Sequence, residues 1–242
     1  MAPFNFYRLI LLLCLLVPNS LFAQTPTDSI SDKKHFLTKE IILPASLMVA
    51  GSALVAVSDF NQDVSGLFPE THIKVDDLLQ YAPVLGMYIA DMAGVKAKNS
   101  AWNQTKYLAF SQLTCAVLVQ TLKYTVREQR PNDGAYNSFP SGHTSVAFVG
   151  ATVLFHEFKE TNKPIAYSGF VVATAVGALR VTNRKHWVSD VLAGAGIGIL
   201  SANLVYYFEP LKNWQPFSKS GKIALSPYYN ADSAGLSFAL KL

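Results

Sequence analysis

The sequence predicts an all-α protein, and three observations lead to that expectation. Half of its 242 residues are hydrophobic and only 15% are charged, against a usual charged share of about 25%. The apolar residues gather in long segments whose length and Ala, Leu and Gly content favour helices over strands. Turn-rich stretches such as 131–134 separate these segments. We therefore expect a bundle of six helices, at 39–58, 76–94, 101–126, 141–158, 163–182 and 186–208.

The helical domain is expected to span residues 39–212, after an N-terminal segment of a different kind. Residues 1–23 have the pattern of a secretory signal peptide: Arg8 supplies a positive start, residues 9–17 an apolar run, and Ala23 a small residue before the cleavage point. Pro18 interrupts the run before it reaches the roughly 20 residues of a membrane-spanning helix. An uncleaved anchor helix is the alternative. Residues 24–38 are polar and indicate a linker.

The C-terminal tail, residues 213–242, changes its hydrophobic period. Ile223 and Leu225 alternate with other residues in one arm, and Leu236 and Phe238 do so in the other. Residues 230–235 supply a turn between the arms, so the pattern predicts a β-hairpin. A lone hairpin is marginal in water. We therefore expect it to dock on the helices or on a partner, with membrane insertion as the alternative.

Charge and cysteine content narrow the functional classes. The net charge of +4, with no basic run, gives no support for nucleic-acid binding. Once residues 1–23 are removed, Cys115 is the one cysteine left, so an internal disulfide is excluded. The chain is thus expected to be an exported protein that does not depend on a disulfide scaffold.

The helical segments suit a membrane protein or a very apolar bundle. The longest charge-free runs, 41–58 and 191–208, approach the roughly 20 residues of a span. The other four runs are shorter, so the bundle either spans a membrane or sits on or partly in one. Loop charges do not fix the orientation. The sequence indicates a location in the periplasm or at a membrane, with the topology open.

The motif Pro140-Ser141-Gly142-His143 opens one predicted helix and is suited to binding an anion. Ser141 is a natural N-cap. The first N–H groups of a helix have no internal partners, so a phosphate placed there gains hydrogen bonds and a favourable dipole. Gly142 lets the anion approach the backbone closely. His143 can donate a proton to a leaving oxygen.

A second motif places a histidine and a carboxylate four residues apart. His186 and Asp190 then lie on one face of the predicted helix. Asp190 can accept the Nδ1–H of His186 and turn the Nε2 lone pair outwards. An oriented, neutral imidazole is a competent nucleophile at phosphorus. Arg180 ends the preceding helix, and a short turn brings it back beside His186.

The third motif supplies positive charge. Lys123 closes one predicted helix, and Arg130 precedes Pro131, which forces Arg130 out of helical geometry. An arginine offers a planar fork for two phosphate oxygens, whereas a lysine acts as a point charge. Phosphoryl transfer depends on such positioning and charge neutralisation.

Taken in order, the three motifs resemble the type 2 phosphatidic acid phosphatase and vanadium haloperoxidase superfamily. That family's pattern is Lys-x6-Arg-Pro, then Pro-Ser-Gly-His, then Ser-Arg-x5-His-x3-Asp. The chain matches this pattern at every position except one. Leu179 stands where the family usually has the serine of Ser-Arg-x5-His-x3-Asp. The resemblance covers roughly residues 39–210. It implies a six-helix fold of the acid phosphatase/vanadium haloperoxidase type.

The resemblance also implies a mechanism. His186 is expected to form a phosphohistidine, His143 to serve as the acid, and Asp190 to orient His186. The phosphate-binding residues implied are Lys123, Arg130, Ser141, Gly142 and Arg180. No metal and no other cofactor is expected. The substrate is expected to be a phosphomonoester or pyrophosphate, on a lipid or on a small ester.

Two other functions stay open at this point. A vanadium-dependent haloperoxidase would hold vanadate in the same pocket, although the family's haloperoxidases are usually much longer. A catalytically silent binding or transport module is the third possibility, which Leu179 keeps open.

Overall fold

The computed structural model describes residues 40–56, 58–68, 70–72, 74–208, 211, 214, 223–230 and 233–240. The predicted signal peptide 1–23 and linker 24–38 lie outside these residues. The described part contains eight helices and two strands. The elements are α1 (Ile42–Val55), α2 (Ser58–Gly66), α3 (Asp76–Leu79), α4 (Ala82–Met92), α5 (Ala101–Val126), α6 (Gly142–Phe158), α7 (Lys163–Thr182), α8 (Val188–Tyr207), β1 (Ile223–Asn230) and β2 (Ser233–Leu240).

Each of the six apolar segments forms helix, but the described part has two more helices than expected. The segment 76–94 is divided into α3 and α4, and Pro83 lies in the first turn of α4. Proline favours that position because its ring presets the backbone angle and a first-turn N–H has no partner. Helix α2 forms over residues that the turn-rich sequence after Val57 had indicated as a loop. The expected count of six is therefore too low.

Helix α6 forms the centre of the bundle and packs against α4, α5, α7 and α8. Most of its residues are buried. Its contact with α8 is close because two glycines of α8 face it. A Cβ at Gly194 would lie 2.6 Å from the Ser141 carbonyl oxygen, and one at Gly198 would lie 2.5 Å from that of Ser145. This close packing sets the start of α6 beside the start of α8.

Two helices in the described part, α7 and α8, are long and apolar enough to cross a membrane. A third candidate arises if α1 and Phe60–Gly66, which meet at 98°, count as one broken span. Helix α8 includes most of the predicted run 191–208. Helix α1 has only 14 residues, fewer than the predicted run 41–58. Large apolar side chains on the bundle face outwards, among them Val171 (72% exposed) and Met92 (87%). Apolar surface of this extent is typical of a membrane-associated protein.

Strands β1 and β2 pair antiparallel in the tail. The register runs from Ile223 opposite Leu240 to Asn230 opposite Ser233. The pair occupies the two arms in which the period-2 alternation predicts a hairpin.

Candidate active site

Asp190 fixes the ring of His186 at the start of α8. The Nδ1 atom of His186 lies 3.2 Å from Asp190 Oδ2, at the predicted spacing of four residues. The same oxygen accepts the Ser138 hydroxyl at 2.5 Å and the Trp187 N–H at 2.9 Å. Asp190 is completely buried and His186 is 1% exposed. Three donors on one oxygen leave the carboxylate and the imidazole with a single arrangement.

Burial decides the protonation state of His186. The pKa of His186 is lowered to about 4, chiefly because burial removes the ring from water. The hydrogen bond and the charge of Asp190 raise this pKa, and the charges of Lys123 and Arg180 lower it. The imidazole is therefore neutral at pH 7. With its Nδ1 atom next to Asp190, the lone pair is on Nε2.

The start of α6 is joined directly to the start of α8. Ser141 occupies the N-cap position, as predicted, and its backbone N–H donates to the Asp190 carbonyl oxygen at 3.0 Å. Its hydroxyl pairs with that of Thr144 at 2.9 Å and caps no backbone N–H of the helix. A Cβ built on Gly142 would meet one neighbour within 4 Å, the Val119 side chain at 4.0 Å. The backbone at Gly142 is thus approachable from outside.

Arg180 comes from the last turn of α7 and is buried, with 5% of its surface exposed. The Lys185 and His186 N–H groups both donate to its carbonyl oxygen, which closes the predicted turn. One guanidinium nitrogen donates to Asp76 Oδ2 at 2.7 Å. The buried Nε atoms of Arg180 and of Arg130 have no acceptor in the described part of the chain. Buried donors without acceptors are rare, and two of them on neighbouring cations suit an oxyanion.

Lys123 closes the cationic side of the site from the last turn of α5. Its ammonium donates to the carbonyl oxygens of Asn137 at 2.5 Å and Ser138 at 3.2 Å. Burial lowers the pKa of Lys123 to about 8; the charges of Arg130 and Arg180 lower it further, and that of Asp190 opposes them. Lys123, Arg130 and Arg180 therefore lie close enough to affect one another electrostatically, although they come from two helices and a loop.

His143 lies in the first turn of α6, at the more open side. Its Nε2 atom is 2.9 Å from Asp77 Oδ1, and its side chain is 30% exposed. Burial and the charge of Arg180 lower the pKa of His143, while Asp77 opposes them. His143 and Arg180 are both linked to Asp77, whose Oδ1 lies 3.5 Å from the Arg180 guanidinium. The structure therefore brings all eight predicted residues to one end of the helices α5–α8.

Four residues of this region were not predicted as members of the site. They are Asp76, Asp77, Glu128 and Ser138. Asp76 and Asp77 reach it because α3 packs on α7 and α6. The sequence offers only weak signs of these carboxylates. Asp76 and Asp77 form an acidic pair at the start of an apolar segment, and Glu128 stands among the cations of residues 123–130.

Nearby Arg184 does not extend the phosphate site. Its guanidinium donates to the carbonyl oxygens of Ser65 and Phe68. Arg184 holds the end of α2 instead.

A kinetic test of the predicted anion-binding turn follows from this geometry. We expect Gly142→Ala to fold normally, because only Val119 lies near the new methyl group. The methyl should keep a phosphate from the backbone and raise KM for a phosphate ester about ten-fold. The measurement is steady-state kinetics together with thermal unfolding.

The control for that variant is Gly194→Ala. Its methyl group would lie 2.6 Å from the Ser141 carbonyl oxygen, so we expect about 1–3 kcal/mol of destabilisation. Equal loss of stability in both variants would contradict the role given to Gly142.

Comparison with known proteins places the three motifs in a family. Residues 104–214 match the PAP2 superfamily. Lipid A 1-phosphatase from Porphyromonas gingivalis is 35% identical over 143 residues, which are 58% of this chain and 32% of that protein. Bacitracin transport permease protein BcrC from Bacillus licheniformis is 39% identical over 74 residues, 31% of this chain and 34% of that protein. The chain thus spans about a third of the length of these two relatives.

A solved structure supports the fold. The first transmembrane PAP2 type phosphatidylglycerolphosphate phosphatase from Bacillus subtilis superposes with a TM-score of 0.51 at 24% identity, over 72% of this chain and 98% of that one. The matched residues 104–214 run from α5 to α8 and carry all three motifs. The three motifs and this match show that residues 104–214 are similar to the PAP2 superfamily.

Proposed function

We propose that this protein is a metal-independent phosphatase that acts on phosphate groups carried by lipids. The observation that carries the proposal is a neutral, buried His186 together with two buried guanidinium Nε atoms that have no acceptor among the described residues. The candidate nucleophile and the cations that suit an oxyanion therefore lie close enough to influence one another's pKa. Such a site stabilises charge on transferring phosphoryl oxygens without reorganising during the reaction.

The reaction is written as two displacements at phosphorus. The Nε2 lone pair of His186 attacks phosphorus, and the bond between phosphorus and the leaving oxygen breaks. That oxygen takes a proton from the imidazolium of His143, which releases an alcohol and leaves a phosphohistidine. Water then attacks phosphorus and gives a proton back to His143. The phosphorus–nitrogen bond breaks, its electron pair returns to His186, and inorganic phosphate leaves.

Two carboxylates support these proton transfers. Asp190 accepts the Nδ1–H of His186 and stabilises the cationic ring of the phosphohistidine. Asp77 lies against His143 and favours its protonated form. A bound phosphate dianion adds negative charge beside His143 and raises the pKa of that ring further, as an acid catalyst requires.

The apolar outer surface supports a lipid as the substrate. Helices α7 and α8 are each long enough to lie in a bilayer, and the names of two relatives and one structural neighbour point to lipid phosphates or membrane transport. A cavity of about 400 Å³ borders Lys123. Each residue that lines it carries a polar group, Gln120, Arg127 and Tyr136 among them. We assign it to the polar part of the substrate next to the phosphate.

We extend the proposal to location and processing. Residues 1–23 direct export and are removed, and residues 24–38 form a linker to the catalytic domain. That domain, residues 39–212, lies at a membrane with its site open to the periplasm. The tail 213–242 docks beside that domain. Mass spectrometry of the mature N-terminus tests cleavage after residue 23.

The deciding experiment is phosphate release by the full chain in detergent, with chelator present. The panel holds a phosphatidate, a prenyl pyrophosphate, a lipid with a glycosyl phosphate, and a soluble phosphomonoester. We expect release from at least one lipid, unaffected by chelation, and slower release from the soluble ester. Preference for the soluble ester would contradict the lipid assignment. Halide oxidation after addition of vanadate, without phosphate release, would favour the haloperoxidase alternative, and neither activity would favour a silent module.

The pH dependence of kcat/KM gives a further prediction. Below its pKa of about 8, Lys123 carries the charge that holds phosphate oxygens. As pH rises through that value the charge is lost, so we expect kcat/KM to fall above about pH 8. In Lys123→Arg the charge persists, because an arginine stays protonated, and the alkaline fall should move to higher pH. The measurement is kcat/KM from about pH 6 to about pH 10.

The matched control is Lys96→Arg at an exposed position. It should leave the pH profile unchanged. An alkaline fall at the same pH in Lys123→Arg and in the unsubstituted protein would remove Lys123 as its cause.

A further inference from the structure

A second carboxyl group, with a buried oxygen, lies beside Asp190, and the proposed reaction does not use it. Glu128 follows the end of α5, and its side chain lies within hydrogen-bonding reach of Asp190. Glu128 Oε2 and Asp190 Oδ1 are both buried, and neither has a hydrogen-bond donor in the described part of the chain. The other oxygen of Asp190 already receives the donors from Ser138, Trp187 and His186. Oδ1 is thus the oxygen left to Glu128.

Two ionised carboxylates cannot satisfy one another, because each can only accept. A single proton between them resolves both unsatisfied oxygens and removes a like-charge pair from the protein interior. Asp190, with three donors, is the one that keeps its charge. Burial and the negative charge of Asp190 raise the pKa of Glu128 to about 9, which places the proton on Glu128 at neutral pH.

The loop that carries Glu128 is closed by a backbone hydrogen bond and is tied to Asp190 through Ser138. The Ser138 N–H donates to the Glu128 carbonyl oxygen at 2.9 Å, and the Ser138 hydroxyl donates to Asp190. One loop therefore places both Ser138 and Glu128 beside the Asp190 carboxylate. The charged groups around this pair are Lys123 from α5, Arg130 from the loop, Arg180 from α7 and His186 before α8.

We propose that Glu128 is a positioning residue: as a neutral acid it donates its O–H to Asp190 Oδ1 and, through Asp190, holds His186 ready for attack at phosphorus. The expected effect on the rate rests on the proposed function, whereas the shared proton is argued from the surroundings of the two carboxyl groups. With both oxygens held, the Asp190 carboxylate cannot rotate away from His186. Its basicity is also reduced, so the Nδ1 proton stays on the imidazole and Nε2 keeps its lone pair.

The kinetic experiment compares Glu128→Gln with Glu128→Ala. A glutamine amide has the shape of the neutral acid and also donates a hydrogen bond, so it should recover most of the rate that alanine loses. We expect kcat to fall about ten-fold or more in Glu128→Ala. KM should change little, since the phosphate contacts are untouched. Glu160→Ala, at an exposed position, is the matched control and should behave as the unsubstituted protein.

The spectroscopic experiment needs no activity. The infrared spectrum of the full chain at pH 7 should contain the C=O stretch of a protonated carboxylic acid. That band should be absent from Glu128→Gln and retained in Glu160→Gln. If the band persists in Glu128→Gln, or if glutamine costs as much kcat as alanine, the proposal is wrong. A protein that releases no phosphate but keeps the band would reject the proposed function while leaving the shared proton in place.

Discussion

Replacement of His186 by alanine is expected to abolish phosphate release while the protein still folds and still binds phosphate or vanadate. His186 supplies the electron pair that attacks phosphorus. Among the described residues, no other histidine is hydrogen-bonded to Asp190. Removal of a nucleophile typically costs a factor on the order of 10⁴ or more in kcat. The cations that bind the anion are unchanged in this variant, so its affinity for vanadate should stay within a few-fold.

Three measurements check this expectation. Phosphate release gives the rate, vanadate titration by calorimetry gives the affinity, and trapping of a labelled phosphoryl group on the unsubstituted protein locates the intermediate. His72→Ala is the matched control, because His72 is an exposed histidine. Near-full activity in His186→Ala would exclude the phosphohistidine route. Loss of vanadate binding together with activity would mean that the substitution damages the anion site itself.

Features set by local spacing could be read from the sequence. The pairing of His186 with Asp190 depends on four residues of helix, and the N-cap position of Ser141 on one turn. The four long helices α5–α8 follow from apolar segments with clear ends. For that reason the candidate residues on these helices could be chosen from the sequence, and the predicted resemblance to the PAP2 superfamily is confirmed over residues 104–214.

Features set by packing between distant segments could not be predicted. Asp76 is 104 residues from Arg180, and Ser138 is 52 residues from Asp190. No periodicity connects such pairs, because their contact depends on how α3 and the 127–141 loop fold over the bundle. The proton shared by Glu128 and Asp190 belongs to the same class, since it requires that both carboxyls be buried together.

Arg180 has a dual role that a pair of substitutions can separate. Its guanidinium forms a buried ion pair with Asp76, which is 2% exposed, and its buried Nε has no acceptor in the described part of the chain, so we propose that Nε binds the phosphate. Arg180→Met removes both interactions and leaves Asp76 as an unpaired buried charge. Loss of one partner of a buried pair typically costs about 3–5 kcal/mol. We therefore expect a large fall in the free energy of unfolding and a loss of activity of about a hundred-fold or more.

The double variant Asp76→Asn with Arg180→Met tells the two roles apart. With both charges gone, the unpaired carboxylate disappears, and replacement of a whole buried ion pair is often neutral for stability. The unfolding free energy should return towards that of the unsubstituted protein, while KM for the phosphate ester stays raised. Chemical denaturation and steady-state kinetics on the same samples give both quantities. Recovery of activity together with stability would show that Arg180 only supports the fold. Recovery of stability alone would assign its free Nε–H to the phosphate.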